Sequence, residues 1–191
     1  MRRSVIAFLI TGLAAASLVA STPANAQPID KGHFHDVSTS DPYDCDGTLA
    51  QDSVDVSGNF VFNQRGSSPF PYYRESVHGT VVTTNLDTGG TYTNVFTANT
   101  RDHTIVDNGD GTITITSFRS GGSRFYDADG KLVLRDPGQV RVAFDVDYNG
   151  TPGNPDDDIE IPGSFRIVRP STGNSDFSQR DFCADLAKFT G

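Results

Sequence analysis

Strict alternation of apolar and polar residues is the feature that most constrains the fold of this chain. Its clearest run contains Val140, Val142, Phe144 and Val146, each separated from the next by one position. Successive side chains of a β-strand point to opposite faces, so a period of two indicates an antiparallel strand with one buried face. Similar runs recur between residues 52 and 167. The body of the chain is therefore predicted to be all-β.

Turn residues separate these alternating runs at short intervals. Three turns are predicted at Asp87–Gly90, Asn108–Gly111 and Asp127–Gly130, because Gly adopts the positive φ that tight hairpins need and Asn or Asp tolerates it. The count of runs predicts a single antiparallel β-barrel of about eight strands. A two-layer sandwich remains the alternative, because alternation defines the faces of strands and not the closure of a sheet.

The N-terminus has the features of a secretory signal peptide over residues 1–26. A basic start precedes an apolar run at residues 6–20, and Ala24-Asn25-Ala26 supplies the small residues of a cleavage site. The apolar run is too short to span a bilayer, which takes about 20 residues. We therefore expect a secreted, extracellular protein with no membrane span. Residues 27–45 are polar and aperiodic and are predicted to be extended, and residues 46–191 are predicted to form the barrel domain.

The chain contains only two cysteines, Cys45 and Cys183. In an oxidising compartment such a pair is expected to form one disulfide bond. Cys183 falls within Gln179–Lys188, which is predicted to form a short C-terminal helix because its apolar residues share one stripe. The disulfide would therefore fasten this helix to the segment around Cys45.

The charge balance of the chain is acidic, with 24 acidic and 15 basic side chains and a net charge of -9. This balance argues against a nucleic-acid partner, because phosphate-binding proteins present a basic face. Several arginines are expected on the polar faces of strands, where pairing with aspartates of neighbouring strands is favoured over an anion-binding surface. They are Arg119, Arg124, Arg135, Arg141 and Arg166.

Aromatic side chains in the strands are candidates to face the barrel interior. There they would either fill the core or line a site for a small apolar or amphipathic ligand. The candidate ligand-binding residues are Phe60, Phe62, Tyr92, Phe96, Phe144, Tyr148 and Phe165.

One acidic loop has the spacing of a calcium site. Asp145, Asp147 and Asn149 alternate before Gly150, and Asp156 follows in the position of the last ligand of such loops. Calcium is therefore a possible bound ion, with a solvated acidic hairpin loop as the alternative. His33 and His35 also alternate, but solvated histidines are favoured over a metal site in that polar segment.

Motifs of enzyme active sites are missing from the sequence. It has no G-x-S-x-G elbow, no H-E-x-x-H helix and no phosphate-binding Gly-rich loop. Paired carboxylates for glycoside hydrolysis can be named only among acids that are expected to be exposed. A non-enzymatic role is therefore favoured, and no catalytic residue is assigned.

Several phrases of the chain resemble a group of uncharacterised small exported proteins of actinobacteria. They are Asp107–Thr112, Tyr126–Lys131, Arg135–Val140, the acidic loop Gly150–Asp158, and Asp181-Phe182-Cys183. The likeness covers most of the chain after the signal peptide, and it implies a fold and an exported location but no catalytic residue. The length and strand count are also similar to allene oxide cyclase and dirigent-like barrels, although no catalytic motif matches. A lipocalin is excluded because its early Trp has no counterpart in a chain without Trp.

Three roles follow from these observations. The first is a secreted β-barrel module that binds a small apolar ligand or a partner surface. The second is a cyclase or isomerase of the allene oxide cyclase or dirigent type, which would act by confining a reactive substrate. The third is an extracellular module stabilised by calcium.

Overall fold

The computed structural model describes residues 28–173 and 180–191 of the protein. Within these residues the chain forms nine strands, one turn of 3-10 helix at Pro155–Asp157 and one α-helix. The strands and the helix are β1 Pro28–Thr39, β2 Tyr43–Cys45, β3 Thr48–Asn63, β4 Tyr72–Asn85, β5 Thr91–Asp107, β6 Thr112–Tyr126, β7 Leu132–Asp147, β8 Ile159–Glu160, β9 Arg166–Arg169 and α1 Phe182–Thr190. The predicted signal peptide lies outside the described residues.

All the strands belong to one curled antiparallel sheet. Its hydrogen-bonded order is β1-β3-β4-β5-β6-β7-β8, with β2 beside β3 and β9 beside β7, and the seven strands of this path form a half-barrel. The prediction of one antiparallel barrel-like sheet with a C-terminal helix is confirmed. Within the described ranges, no helix combines the length and the apolar character that a membrane crossing requires.

The strand register separates two faces of this sheet. Tyr73, Asp102, Ser117 and Val142 lie on one face, which is the inside of the curl and is called the concave face. The outside is called the convex face. The segment before residue 46, predicted to be extended, joins the same sheet as β1 and β2. Nearly every residue of β1 is exposed, which explains why its sequence shows no buried period.

Two of the long strands, β6 and β7, contain glycine and proline in their interiors. The glycines and the proline near residues 121 and 137 suggest breaks, but β6 and β7 run straight through them, with Gly121 opposite Gly138. A Cβ atom at Gly121 would lie 2.0 Å from the carbonyl oxygen of Thr97 on β5. Glycine is therefore required here by the close approach of two strands and not by a turn. The three predicted hairpin turns are confirmed, and Gly89, Gly109 and Gly130 have the expected positive φ.

The C-terminal helix covers one end of the concave face. Asp181 caps it by accepting a hydrogen bond from Ala184 N–H at 3.0 Å, so it starts at Phe182, three residues later than predicted. The disulfide Cys45–Cys183 joins the helix to β2, as expected. The core beneath the helix consists of Cys45, Ala50, Tyr92, Phe125, Leu134 and Leu186.

A second apolar cluster lies at the opposite end of the sheet. Phe70, in the loop between β3 and β4, packs there with Ile113 and Val146. The ring of Tyr148 contacts the ring of Phe70, with 5.3 Å between their centroids. Between this cluster and the helix the concave face carries a large cavity.

Candidate functional site

The candidate site is a cavity of about 1200 Å³ on the concave face. Its wall combines apolar side chains with carboxyl and hydroxyl groups, and the two kinds are neighbours on β5 and β6. The apolar residues are Phe62, Phe70, Pro71, Phe96, Ala98, Ile113, Ile115, Val140, Phe144, Val146, Pro155 and Pro170. The ionisable residues are Tyr73, Glu75, Asp102, Arg119, Asp136, Asp158 and Glu160.

Asp102 is the most deeply buried acid of this wall, with 4% of its surface exposed. Its Oδ1 accepts a hydrogen bond from the Ser117 hydroxyl at 2.6 Å, and its Oδ2 accepts one from the Tyr73 backbone N–H at 2.9 Å. Burial raises the pKa of the Asp102 carboxyl, whereas these hydrogen bonds and the charges of Arg65 and Arg119 partly oppose the rise. Asp102 is therefore held in a fixed orientation at a polar point in the cavity wall.

Local backbone geometry places Asp102 there. The ladder between β4 and β5 ends at the pair Arg74 and Arg101, and the register of β5 with β6 shifts immediately after Asp102. The carboxylate therefore accepts the N–H of Tyr73 where the regular β4–β5 ladder has ended. Its position is set by the bulge and by the partner groups around it.

Glu75 and Arg119 lie one row further along the concave face. Both are opposite Thr100 on β5, and both line the cavity. Burial, followed by the hydrogen bond with Glu75, raises the pKa of the Tyr73 hydroxyl, so Tyr73 stays protonated at neutral pH. The guanidinium carbon of Arg119 lies 5.5 Å from the ring centroid of Phe165. The site thus contains a proton donor, carboxyl acceptors and one fixed cation.

The loop after β7 supplies the acidic rim of the cavity. Burial, followed by the charges of Asp157 and Asp147, raises the pKa of Asp158 to about 6. Asp158 is therefore an acid whose ionisation near neutral pH is opposed by its neighbours. A cation that enters the cavity would relieve this repulsion.

The predicted ligand-binding aromatics fall into three groups. Phe62, Phe96 and Phe144 line the cavity. Phe60 lies beside Phe62 on the concave face, with 6.2 Å between ring centroids, and Tyr148 belongs to the apolar cluster around Phe70. Contact of these side chains with a ligand stays a prediction.

Phe165 and Tyr92 lie elsewhere. Phe165 precedes β9 and is 49% exposed. Its ring contacts Arg119, which lines the cavity. Tyr92 is 1% exposed, and its ring stacks between Phe125 at 5.5 Å and Phe189 at 5.7 Å. The helix therefore covers Tyr92 and makes it part of the core, although alternation had placed it correctly on the concave face.

The structure does not gather the carboxylates of the predicted calcium loop. Asp145 is bound by Arg166 through two hydrogen bonds of 3.2 Å and by the Thr114 hydroxyl at 2.7 Å. Asp147 accepts the N–H of Asn149 at 2.9 Å, and Asp156 is exposed. Calcium binding by this loop stays a prediction.

In the described part of the chain, the group of acids, histidines and cysteines that lies close enough to hold a metal is Asp46, Asp181 and Cys183. Cys183 is in the disulfide, so its sulfur is not available as a thiolate ligand. His33 and His35 are exposed on β1, and Nε2 of His35 lies 2.9 Å from Oδ1 of Asp55.

Sequence reasoning missed the polar centre of the site. Asp102 and Ser117 share the concave face with Phe96 and Ala98, but the sequence predicts an alternating run only over Thr91–Thr100, whereas β5 continues to Asp107. Continuing the alternation by one more step would have placed Asp102 among inward residues. Comparisons with protein-family models, curated proteins and solved structures find no match for this chain.

Proposed function

We propose that this protein is an exported binding protein that holds a small amphipathic molecule with a cationic polar end in the cavity of the half-barrel. The observation that carries the proposal is the cavity of about 1200 Å³, whose wall combines apolar side chains with five carboxyl groups. Small-molecule sites in proteins are concave and mostly apolar, with a few polar groups that orient the ligand.

The apolar side chains of the wall support binding of a hydrocarbon or aromatic moiety. Phe62, Phe96 and Phe144 contribute rings from β3, β5 and β7. The side chain of Ala98 is small and leaves room for a ligand beside the wall. Contact with a ligand would remove this apolar surface from water, which stabilises a complex by about 25 cal/mol per Å² before the cost of association.

The charge of the cavity supports a cationic polar end. Five acids line it, namely Glu75, Asp102, Asp136, Asp158 and Glu160, whereas Arg119 is the one base among its lining residues in the described chain. A cleft lined by one sign of charge attracts counter-ions, and its low-dielectric walls strengthen that attraction. An organic ammonium group placed near Asp102 and Glu75 would compensate these charges.

Export is the second part of the proposal. The disulfide between Cys45 and Cys183 is typical of proteins that fold in an oxidising compartment. The signal-peptide pattern of residues 1–26 points to the same location.

Binding of a neutral fluorescent dye, N-phenyl-1-naphthylamine, tests the site. The Ala98→Trp variant places a large side chain inside the cavity, and we expect it to weaken dye binding by about tenfold or more. The matched control is Val106→Trp, because Val106 is 54% exposed on the convex face of the same strand. Equal dye binding by both variants would exclude this cavity as the site.

A second titration tests the charge preference. Alkylamine, alkanol and alkyl carboxylate of one chain length should displace the dye with decreasing affinity in that order. Glu75→Gln should reduce the preference for the amine, whereas Asp129→Asn, which removes one charge from an exposed turn, should not. A preference for the carboxylate would contradict the proposed ligand class.

A second candidate function is an isomerase or cyclase that confines a reactive substrate. The observation that favours it is the grouping of Asp102, Glu75 and Tyr73 on one cavity wall, because general acid–base catalysis uses such groups, and burial raises the pKa values of Asp102 and Tyr73. The test compares the small molecules that are extracted from the wild type and from the Asp102→Asn variant. If the protein is an isomerase, the wild type should yield an isomer of the molecule that the variant retains, with equal mass but different chromatographic retention. Identical molecules from both proteins would contradict the enzymatic role and favour the binding role.

A further inference from the structure

A row of arginines crosses the convex face of the sheet. The strand register places Arg74 opposite Arg101, Arg101 opposite Phe118, and Phe118 opposite Arg141. Arg169 of β9 lies opposite Arg141 in the next ladder. Neighbouring strands are about 4.8 Å apart, so the row spans about 19 Å across five strands. These five residues are called the arginine row.

No carboxylate of the described residues forms an ion pair with this row. Within residues 28–173 and 180–191 the ion pairs are His35–Asp55, Arg166–Asp145 and Arg180–Asp185, and none includes an arginine of the row. Like charges directly opposite each other in a ladder destabilise a sheet. The chain has more acidic than basic side chains, so the unpaired row is not explained by a shortage of acids.

Phe118 lies at the centre of the row, and its ring contacts Arg101 and Arg141. The guanidinium carbon of Arg101 lies 5.2 Å from its ring centroid, and that of Arg141 lies 4.4 Å from it. The His103 ring contacts the same phenyl ring, with 4.8 Å between centroids. A guanidinium that stacks on a ring keeps its in-plane N–H groups available for an oxyanion.

One donor of this group has no partner. The Nε of Arg141 is buried and makes no hydrogen bond within the described chain. A buried donor without an acceptor is unfavourable, and native structures usually satisfy it. This unpartnered donor is an observation independent of the charges, and the described residues 28–173 and 180–191 provide no acceptor for it.

Neutral polar side chains form the neighbouring row on the same face. This second row lies two residues along the strands from the arginine row. It consists of Asn59, Ser76, Asn99, Ser120 and Gln139, which are opposite one another on β3–β7. A groove of about 490 Å³ runs between the two rows, lined by Arg74 and Arg101 on one side and by these amides and hydroxyls on the other, with Glu75 and Thr100 also in its wall. Such groups exchange hydrogen bonds with the hydroxyl groups of a ligand.

We propose that this convex groove, together with Arg141 beside it in the same row, binds an acidic oligosaccharide. Arg74, Arg101 and Arg141 would hold its carboxylate or sulfate groups, and the amide and hydroxyl row would bind its sugar hydroxyls. Single-stranded nucleic acid fits less well, because the bases need an open aromatic face for stacking and guanidinium groups occupy the ring of Phe118. The arginines of the groove lie on the face opposite the concave cavity, although five residues line both sites, namely Glu75, Asn99, Thr100, Ser120 and Gln139. The proposal does not depend on the ligand proposed for the cavity.

The test compares two double variants of the full secreted chain. Arg101→Gln with Arg141→Gln removes the centre of the row. Arg124→Gln with Arg135→Gln is the matched control, because these arginines are also directly opposite each other on the convex face and carry the same charge. Circular dichroism of both variants establishes that they fold.

The probes are an alginate oligomer for carboxylates, dextran sulfate for sulfates, uncharged dextran, and a single-stranded DNA of matched charge. We expect one of the acidic saccharides to bind the wild type in physiological salt and to lose about tenfold or more in affinity with the Arg101 and Arg141 variant, but less than about twofold with the control. Comparison of alginate with dextran sulfate identifies the acidic group. Equal losses in both variants, absence of saccharide binding, or equal or tighter binding of the DNA would overturn the proposal.

Discussion

Removal of the Cys45–Cys183 crosslink should destabilise the protein mainly through its unfolded state. The two cysteines are 138 residues apart in sequence. The chain-entropy relation for a loop of that length gives about 5 kcal/mol at 25 °C. The helix keeps other contacts, since Asn85 donates a hydrogen bond to the Thr190 hydroxyl at 2.9 Å and Leu186 is fully buried. The variant is therefore expected to fold, with a lower free energy of unfolding.

Urea unfolding followed by circular dichroism measures this effect in the Cys45→Ala, Cys183→Ala double variant. We expect a loss of about 5 kcal/mol in the free energy of unfolding, together with a steeper dependence on urea, because the uncrosslinked chain exposes more surface when it unfolds. Leu186→Ala is the contrasting variant. It removes packing from the same helix, so it should cost about 2–5 kcal/mol with an unchanged urea dependence.

Two results would refute this reasoning. A loss below about 1 kcal/mol in the crosslink variant would show that the long loop contributes little to stability. An unchanged urea dependence alongside a large loss would show that the disulfide acts through contacts of the folded state, as Leu186 does.

Three further predictions concern the rim, the sheet and the acidic loop. Asp158 has a folded-state pKa of about 6, above its ordinary value of 3.8, so its contribution to stability falls as pH rises from about 4 to above 6. Asp158→Asn should therefore raise the free energy of unfolding by about 1–2 kcal/mol at pH 7.5, allowing for partial exposure, and leave it unchanged at pH 3; a pH-independent gain would contradict this. Gly121→Ala should cost about 1–3 kcal/mol in urea unfolding, whereas Gly122→Ala, whose Cβ meets its nearest atom at 3.4 Å, should cost much less. Asp145→Ala should lower the melting temperature equally with and without calcium, because its carboxylate binds Arg166; a loss seen only with calcium would support the predicted calcium loop.

Alternation predicted the strands and their faces well where each strand has one buried and one exposed side. Val142 and Val146 are buried on the concave face, as their spacing indicates. The same pattern could not predict β1, because an edge strand exposed on both sides has no buried period. The close approach at Gly121 could not be predicted, since a local pattern does not show that another strand passes close by.

Burial and pairing of the charged groups depend on contacts between distant segments. The inward position of Asp102 rests on a bulge and on Ser117, 15 residues further along the chain. Of the five arginines expected to pair with acids across strands, Arg166 does so, with Asp145. Arg119 lies on the concave face and lines the cavity, where no strand pattern had placed a charge.

Native mass spectrometry tests the central claim most directly, because it counts the molecules bound to each chain. The wild type and the Ala98→Trp variant would be incubated with a long-chain alkylamine and measured from the same buffer. We expect one bound amine per wild-type chain and none on the variant, because Ala98 lines the concave cavity. A wild-type chain without the amine, or the same adduct on both proteins, would contradict the claim that the cavity holds a cationic amphipathic ligand.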